Sequence, residues 1–524
     1  MVEKKTNVAP VSPPTAVPTA PQTTAAASDS VPAHCEPCPP VFRLDAPLRW
    51  KSANSQEQKV LDNLQGNILK GHGRDHTTNL FFAFGADVPK SKRLLRELGN
   101  FHVTSAYKQL IATEAFKVNK TDGGTFCAAF ISASGYQKLD LTFAVPAQNV
   151  AFAPGMKAAS SIRDLDDPDA KAWEDGFRED IHGMILVADD DTVRGAARVF
   201  VIEALLKDAG CTLVHKQDGK AIRNKAGNGL EHFGYVDGRS QPLMLVEDIE
   251  VESRDEGIAH WDPTASLDKA LVADPMTNAD SLAFGSFFIF RKLEQRVQDF
   301  KTREQELADA LDLTGEDREL AGALVVGRFE DGTPVTMSSE AKGIKDPRND
   351  FNYNGDNLGA RCPFHAHIRK TNPRGSRAPK VPSVEEQLHI MVRRGITYED
   401  TPRQVHPDCL PGAETREEFM EKVRPNLPAG GLGLLFMAYN AKLDDQFVVT
   451  QQSWANSKDF PEGSAAGVDP VIGQKKGGPP GDLSYPKVWD DSTSEKKPFG
   501  FHGFVTMKGG EYFFAPSMLF LRNL

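Results

Sequence analysis

The chain has 524 residues, of which 40% are hydrophobic and 25% charged, and its formal net charge is −11. This composition is typical of globular proteins, so it excludes a wholly disordered chain, and the length predicts more than one domain. A negative chain has no electrostatic basis for binding nucleic acid, and no stretch approaches the roughly 20 apolar residues that span a bilayer. No apolar segment follows the charged first residues, so we expect a cytoplasmic location by default, with secretion by another route left open.

The N-terminal segment is low in large apolar residues. Residues 1–40 are rich in Pro, Ala, Thr and Ser, and such a segment cannot bury enough apolar surface to offset its ordering entropy. We therefore predict a disordered tail over residues 1–55. Cys35 and Cys38 form a CxxC pair in this tail, but a zinc site needs four ligands and the sequence has no second pair. A metal site there is the less favoured alternative.

Residues 56–245 alternate between strand-like and helix-like patterns and are predicted to form the first half of the fold. Short apolar runs ended by glycine or polar residues indicate strands, and longer amphipathic runs indicate helices. The predicted strands are 80–84, 125–131, 184–188 and 212–215, and the predicted helices are 90–98 and 193–208. No glycine-rich phosphate loop follows a strand, which disfavours a nucleotide-binding fold.

An acidic, turn-rich connection at 246–284 leads to a second half at 285–524, which also alternates between strand-like and helix-like patterns. Its predicted strands are 286–290 and 432–439, its predicted helices are 300–311 and 317–326, and a long Gly/Pro/Lys loop covers roughly 457–497. We predict an α+β fold with two antiparallel-sheet halves and peripheral helices.

The segment GYVDG places Asp237 between two glycines. Glycines allow a sharp turn that would present the carboxylate at close range. Because Asp and Gly are also common in ordinary turns, a purely structural turn is the alternative.

The segment RCPFHAHIRKTNPR contains His365 and His367, which would face the same way if the chain were extended. Histidine is the commonest transition-metal ligand, and it holds haem iron in many proteins. Arg369 and its basic neighbours would suit the carboxylates of an anionic cofactor such as haem. The alternatives are a structural histidine and a solvated basic strand edge.

Two further segments have side chains that could line a site. In MVRRGITY, either Arg393 or Arg394 could point inward. In LLFMAYNAKLDDQF, the apolar strand could wall a pocket or belong to the core, and Asp444 with Asp445 would ordinarily indicate the start of a helix.

In their order along the chain, these four segments resemble the dye-decolourising peroxidases, and most closely the longer branch of that family. The segments LQGNILKGHGR, GSFFIFRKLEQ and KGGEYFFAPSM add to the resemblance, which runs from about residue 60 to the C-terminus. It implies two dimeric-ferredoxin-like halves in one chain, with one haem b bound mainly by the second half.

The resemblance also implies a role for each matched residue. His367 would be the proximal iron ligand, with Arg369 beside the cofactor, and Asp444 would accept the imidazole N–H, with Asp445 as the alternative. Asp237 and Arg393 would act on the peroxide. Leu434 and Phe436 would line the pocket above the iron. His365 stands where the family usually has a small residue, so it leaves a second candidate ligand.

The implied function is reduction of hydrogen peroxide coupled to oxidation of dyes, phenols or other aromatic donors. The sequence does not decide between a monomer and a dimer. A haem-binding or haem-iron-releasing protein of the same fold is the rival interpretation, and it would not need a polar pair such as Asp237 and Arg393. A non-haem metal hydrolase using His365 and His367 is a further alternative.

Overall fold

The computed structural model describes residues 42–278, 281–343, 345–377, 383–461, 465–474 and 483–524. Most of the predicted tail, including Cys35 and Cys38, lies outside these residues. Residues 42–55 were predicted to belong to that tail, and this is wrong. Leu48 is buried, and its backbone bonds to both Met244 and Val246. The contact joins segments far apart in sequence, so local composition does not show it.

Most strands belong to one ten-stranded antiparallel sheet, and β5–β6 and β12–β13 form two small pairs. The described strands are β1 His76–Ala83, β2 Phe126–Ser132, β3 Gly183–Asp189, β4 Thr212–Lys220, β5 Ile222–Arg223, β6 Gly229–Leu230, β7 Val272–Ala273, β8 Phe284–Gln295, β9 Val392–Arg393, β10 Ile396–Glu399, β11 Leu432–Asn440, β12 Leu483–Pro486, β13 Lys496–Phe499 and β14 Val505–Ala515.

The helices lie mainly between the strands. The α-helices are α1 Ser55–Asn63, α2 Val88–Glu97, α3 Ala106–Asn119, α4 Ala133–Lys138, α5 Ala159–Asp164, α6 Asp175–Arg178, α7 Thr192–Asp208, α8 Val246–Asp255, α9 Val297–Ala310, α10 Glu319–Val326, α11 His367–Thr371, α12 Ser383–Glu386, α13 Arg416–Glu418 and α14 Met518–Asn523. Asp444–Val448 and Thr450–Ala455 are π-helical. No helix among the described residues combines the length and the apolar character that crossing a membrane requires.

The two halves repeat one topology, which confirms the predicted α+β fold. In the first half the spatial order of strands is β2-β3-β1-β4, and in the second it is β10-β11-β8-β14. If each half is numbered along the chain, both orders read 2-3-1-4, the arrangement of a ferredoxin-like unit. Strands β14 and β2 pair antiparallel and join the halves into one sheet.

The sheet curls until its edge strands touch, since the Thr397 hydroxyl of β10 donates to the Lys220 carbonyl of β4. Aromatic rings from both halves fill the interior. The ring centroids of Phe130 and Phe288 lie 4.2 Å apart, and those of Phe81 and Phe290 lie 4.8 Å apart. Such aromatic contacts stabilise a core beyond the effect of buried area alone.

Each strand and helix predicted with bounds is present, although several are longer than predicted. The predicted connection at 246–284 contains α8 and β7, and the predicted loop at 457–497 contains β12, with β13 running past its end. Hydrophobic periodicity locates these elements well, but the ends depend on caps and pairing partners.

A buried ion pair ties β8 to the segment after α5. Arg291 and Asp167 are both buried, and each guanidinium Nη donates to one carboxylate oxygen, with Nη1 2.8 Å from Oδ2. A buried pair of this kind adds little net stability over apolar residues, but removing one partner leaves a charge without compensation.

We expect Asp167→Ala to lower the free energy of unfolding by about 3–5 kcal/mol, because Arg291 would keep a buried, unpaired charge. Denaturant unfolding followed by fluorescence measures this. Asp164→Ala, which removes an exposed contact to Arg163, is the control and should leave the midpoint unchanged. Equal effects of the two substitutions would contradict the prediction.

Candidate active site

A deep cavity lies against strands β8 and β11 in the second half. It holds about 1950 Å³ of space free of atoms, its open mouth included. All the described residues that line it fall between Glu231 and Val505. The predicted site residues among them are Asp237, His367, Arg393, Leu434 and Phe436. The cavity therefore gathers residues from all four chemistry-bearing segments of the sequence.

The GYVDG segment forms the predicted turn at the cavity wall. Gly234 and Gly238 have φ angles of +104° and +81°, which residues with a Cβ rarely adopt. The Asp237 N–H donates to the Gly229 carbonyl over 3.0 Å, and the Gly238 N–H donates to Asp237 Oδ1 over 2.6 Å. The glycines thus let a short turn hold this carboxylate at the cavity.

Arg393 faces Asp237 across the cavity wall. Its Nη1 lies 3.5 Å from Asp237 Oδ1, and its Nη2 donates to the Ser240 carbonyl over 2.8 Å. The two side chains are 35% and 38% exposed, respectively. An accessible carboxylate beside a fixed cation can exchange protons with a small ligand and stabilise negative charge on it.

The neighbouring arginine points elsewhere. Arg394 donates from Nε to the Asn67 carbonyl over 2.7 Å and from Nη2 to the Ile68 carbonyl over 3.0 Å. It therefore fastens strand β9 to the segment after α1. Of the two candidates that the sequence left open, the structure brings Arg393 to the cavity.

His367 begins α11 and lines the cavity from another segment. Its Nδ1 lies 2.8 Å from Oδ2 of Asp469, a fully buried carboxylate. Burial lowers the pKa of His367, but the charge and hydrogen bond of Asp469 raise it more, so the pKa is above its ordinary value. Since Nδ1 is engaged, Nε2 is the nitrogen available to a ligand in the cavity.

Asp469 thus occupies the position predicted for Asp444, and that prediction is wrong. Asp444 accepts backbone N–H bonds from Val150 over 2.6 Å and from Ala151 over 3.1 Å. Burial raises the pKa of Asp444. The predicted alternative, Asp445, contributes its backbone carbonyl to the His389 ring instead. Neither aspartate lines the cavity among the described residues.

His365 lies in the protein interior, away from the cavity lining. The centroid of its ring lies 4.6 Å from that of the Tyr485 ring, and its Nε2 has no hydrogen-bond partner among the described residues. Burial lowers the pKa of His365 to about 3, so the ring is neutral near neutral pH. The two histidines do not face the same way along a strand, because the chain turns into α11 at His367.

Arg369 was predicted to contact the cofactor, and the structure places it elsewhere. It is 1% exposed, and its Nη1 donates to Asp356 Oδ2 over 2.7 Å while its Nε donates to Ser376 Oγ over 2.9 Å. The guanidinium also stacks on Tyr353 and Phe364. Its charge is used inside the protein, where it fixes the loop that precedes α11.

Other arginines form the positive part of the cavity lining. Burial, together with the nearby charges of Arg239 and Arg393, lowers the pKa of Arg328 to about 10 and that of Arg374 to about 9. Arg328 Nη2 is buried without a hydrogen-bond partner among the described residues. Buried cations that repel one another indicate a site for an anionic ligand, which would relieve the repulsion.

The sequence missed Asp469 and Arg328. Asp469 follows His367 by 102 positions, in a glycine-rich stretch without a recognisable pattern. Arg328 follows a glycine at the end of α10, again without a local signal. Arg374 belongs to the basic segment around His367, where only its side-chain direction was unknown.

Comparison with known proteins gives a consistent result. Residues 63–222 match the family model described as the DyP dimeric alpha+beta barrel domain. The multifunctional dye peroxidase DyP2 of an Amycolatopsis species is 44% identical over 489 residues, which cover 92% of this chain and 99% of that protein. A dye-decolorizing peroxidase of Mycena epipterygia is 30% identical over 505 residues, which cover 87% of this chain and 85% of the relative.

Solved structures agree. The structure of DyP2 from Amycolatopsis sp. superimposes with a TM-score of 0.84 at 42% identity and covers 92% of this chain and 100% of that one. A DyP-type peroxidase from Anabaena sp. superimposes with a TM-score of 0.80 at 37% identity. The match covers 91% of this chain and 97% of that one. At this coverage, the similarity extends over both halves of the chain.

Proposed function

This chain belongs to the dye-decolourising peroxidase family, and we propose that His367, Asp237 and Arg393 carry out its reaction with one haem b per chain. The activity is reduction of hydrogen peroxide to water with oxidation of dyes or other aromatic donors. The observation that supports the residue assignment best is that one cavity is lined by a carboxylate–arginine pair and by a histidine oriented by Asp469.

The cavity has the donor set that a haem needs. His367 offers Nε2 as an iron ligand, while Asp469 fixes the tautomer and makes the ring a stronger donor. Arg328, whose buried Nη2 has no hydrogen-bond partner among the described residues, would meet a haem carboxylate. Arg374 adds positive charge beside it, although its own Nη atoms donate to Asn349, Phe351 and Ser240. Haem, when bound, supplies the iron that reacts with peroxide and stores its oxidising equivalents.

Asp237 and Arg393 supply the acid–base chemistry of peroxide cleavage. Asp237 takes a proton from the entering peroxide and gives it to the departing oxygen, a general acid–base role. The Arg393 guanidinium stabilises the anionic peroxide while the O–O bond breaks. The contact between their side chains keeps the carboxylate next to the guanidinium.

Leu434 and Phe436 limit access to this pair. Both line the cavity from β11, and the Phe436 ring lies 6.0 Å from that of Phe447. An apolar wall leaves room for hydrogen peroxide and keeps bulky donors from the reacting atoms. Those donors would then deliver electrons from the cavity mouth or through the protein.

A haem carrier without turnover is the second candidate, and the distal pair argues against it. A carrier needs an iron ligand and an anion site, but it has no use for an accessible carboxylate beside a fixed guanidinium. Peroxide-dependent dye oxidation by the purified holoprotein separates the two candidates.

His367→Ala should abolish or severely weaken haem binding, because it removes the nitrogen that would hold the iron. The Soret absorption of purified variants, normalised to protein, measures this. His365→Phe preserves most of the ring volume against Tyr485 and should retain a near-normal band. Loss of haem in His365→Phe together with retention in His367→Ala would reverse the ligand assignment.

Asp469→Asn should raise the Fe(III)/Fe(II) potential and weaken haem binding or activity by about 10–100-fold, because a less basic imidazole stabilises ferric iron less. Spectroelectrochemistry measures the potential. Asp444→Asn is the matched control, since that carboxylate caps backbone N–H groups, and its potential should equal that of the wild type. A shift in the control alone would restore Asp444 to this role.

Asp237→Asn should slow the peroxide-induced spectral change by about 10²–10⁴-fold, because no group then transfers the proton. Stopped-flow mixing with hydrogen peroxide, without a donor and across pH, measures this step. Arg393→Leu should slow it by about 10²–10³-fold and leave its pH dependence in place, because the Asp237 carboxylate that exchanges the proton is still present. If Asp237→Asn reacts as fast as the wild type while Arg393→Leu is inert, the role of Asp237 is wrong.

A further inference from the structure

A buried tyrosine beside the cavity is hydrogen-bonded to a buried carboxylate that the peroxide chemistry does not use. Tyr235 lines the cavity two positions before Asp237, and its hydroxyl donates to Glu304 Oε1 of α9 over 2.5 Å. Tyr235 is 4% exposed and Glu304 is 5% exposed. The pair thus connects the cavity wall to the protein interior.

Helix α10 makes room for this pair. A Cβ added to Gly322 would lie 2.0 Å from the Tyr235 hydroxyl and 2.6 Å from Glu304 Oε1. Glycine in a helix interior costs roughly 0.5–1 kcal/mol relative to alanine. The space that this glycine leaves is filled by the tyrosine–carboxylate contact.

The carboxylate is embedded in a charge network that reaches the surface. Lys301 Nζ lies 2.8 Å from Glu304 Oε2 and also bonds to Glu330, whose side chain is 46% exposed. Lys301 Nζ lies 4.8 Å from the centre of the Tyr235 ring. If Glu304 became neutral, Glu330 would still balance the charge of Lys301.

This network suits proton transfer between the two buried groups. Burial raises the pKa of Glu304 to about 7, although the charge of Lys301 opposes that effect. A carboxylate that binds a proton more readily than usual is a good acceptor for a neighbouring hydroxyl. Burial and the charge of Glu304 raise the pKa of Tyr235, so the tyrosine keeps its proton until it is oxidised.

We propose that Tyr235 is an internal one-electron donor of this peroxidase and that Glu304 accepts its proton. Tyr235 gives one electron to the peroxide-oxidised cofactor, its O–H bond breaks, and the proton moves to Glu304 Oε1. The products are a neutral tyrosyl radical, a protonated Glu304 and a cofactor reduced by one electron. An aromatic donor then returns the electron, and Glu304 returns the proton. This inference rests on the proposed function.

A second tyrosine in the same cavity lacks these features. Tyr353 also lines the cavity and is 2% exposed, but its hydroxyl has no hydrogen-bond partner among the described residues. The Arg369 guanidinium stacks on its ring. Oxidation would leave its proton without an acceptor beside a cation, so Tyr353 is the matched control.

The test mixes the haem-loaded protein with hydrogen peroxide without a donor, freezes it within milliseconds, and records the electron paramagnetic resonance spectrum. Wild type labelled with ring-deuterated tyrosine should give a narrowed signal, which identifies a tyrosyl radical. Tyr235→Phe should lose that signal, whereas Tyr353→Phe should keep it. Glu304→Gln can still accept the hydrogen bond but not the proton, so it should lose most of the radical while retaining the wild-type Soret band.

The outcomes separate this inference from the proposed function. If the wild type shows no spectral change with peroxide, the proposed function fails. If it reacts but forms no tyrosyl radical, or if Tyr235→Phe keeps the wild-type radical, only the assignment of Tyr235 fails. Should Tyr235→Phe not fold, the Glu304→Gln protein decides, because a wild-type radical yield in that variant would overturn the proton-acceptor role.

Discussion

The site depends on one hydrogen bond, between His367 Nδ1 and Asp469 Oδ2. Asp469 is itself held by the backbone N–H groups of Val471 and Ile472. Lys370 of α11 donates to the carbonyls of Ser457 and Gly467. The helix that carries the imidazole and the segment that carries its carboxylate are therefore fastened at two places. A ring held in this way has one tautomer and one direction, as an iron ligand requires.

In the rest of the cavity, the main electrostatic constraint is repulsion between like charges. Arg328 and Arg374 are buried near the charges of Arg239 and Arg393, which lowers the pKa of both. Without a ligand this arrangement costs free energy, and an anion with two carboxylates would recover part of it. Binding of the cofactor should therefore stabilise the fold as well as complete the site. Asp237 pairs with Arg393 and Glu252 with Arg239, but neither carboxylate pairs with Arg328 or Arg374 among the described residues.

The sequence predicted the parts of this molecule that depend on local pattern. Apolar runs located β1, β8 and β11, and the glycines of GYVDG predicted the turn that carries Asp237. Contacts between distant segments were not visible. Asp444 was predicted as the imidazole partner because its segment resembles that of the peroxidase family. Asp469 instead reaches His367 from a stretch without periodicity. Arg369 illustrates the same limit, because a basic residue near a histidine shows its charge but not its direction.

The two halves share one topology, yet the cavity of the candidate site lies against the strands of the second half, and the connection before the last strand of each half suggests why. In the first half, this connection contains α7, a regular helix whose buried residues Val199, Ile202 and Leu206 pack onto the core. In the second half, it begins with the π-helical segments Asp444–Val448 and Thr450–Ala455. π-Helical turns are rare and occur often at functional sites, since the wider turn displaces side chains from their usual positions.

Residues from these wide turns, Phe447, Thr450 and Gln451, line the cavity. The chain then continues through the segment that carries Asp469 before it returns to the sheet as β14. A regular helix that packed on the core as α7 does would fill this space with apolar side chains. The wide turns thus contribute side chains to the cavity lining, and the segment that follows them carries the carboxylate that orients His367. The same duplicated scaffold can therefore have one half specialised for packing and the other for chemistry.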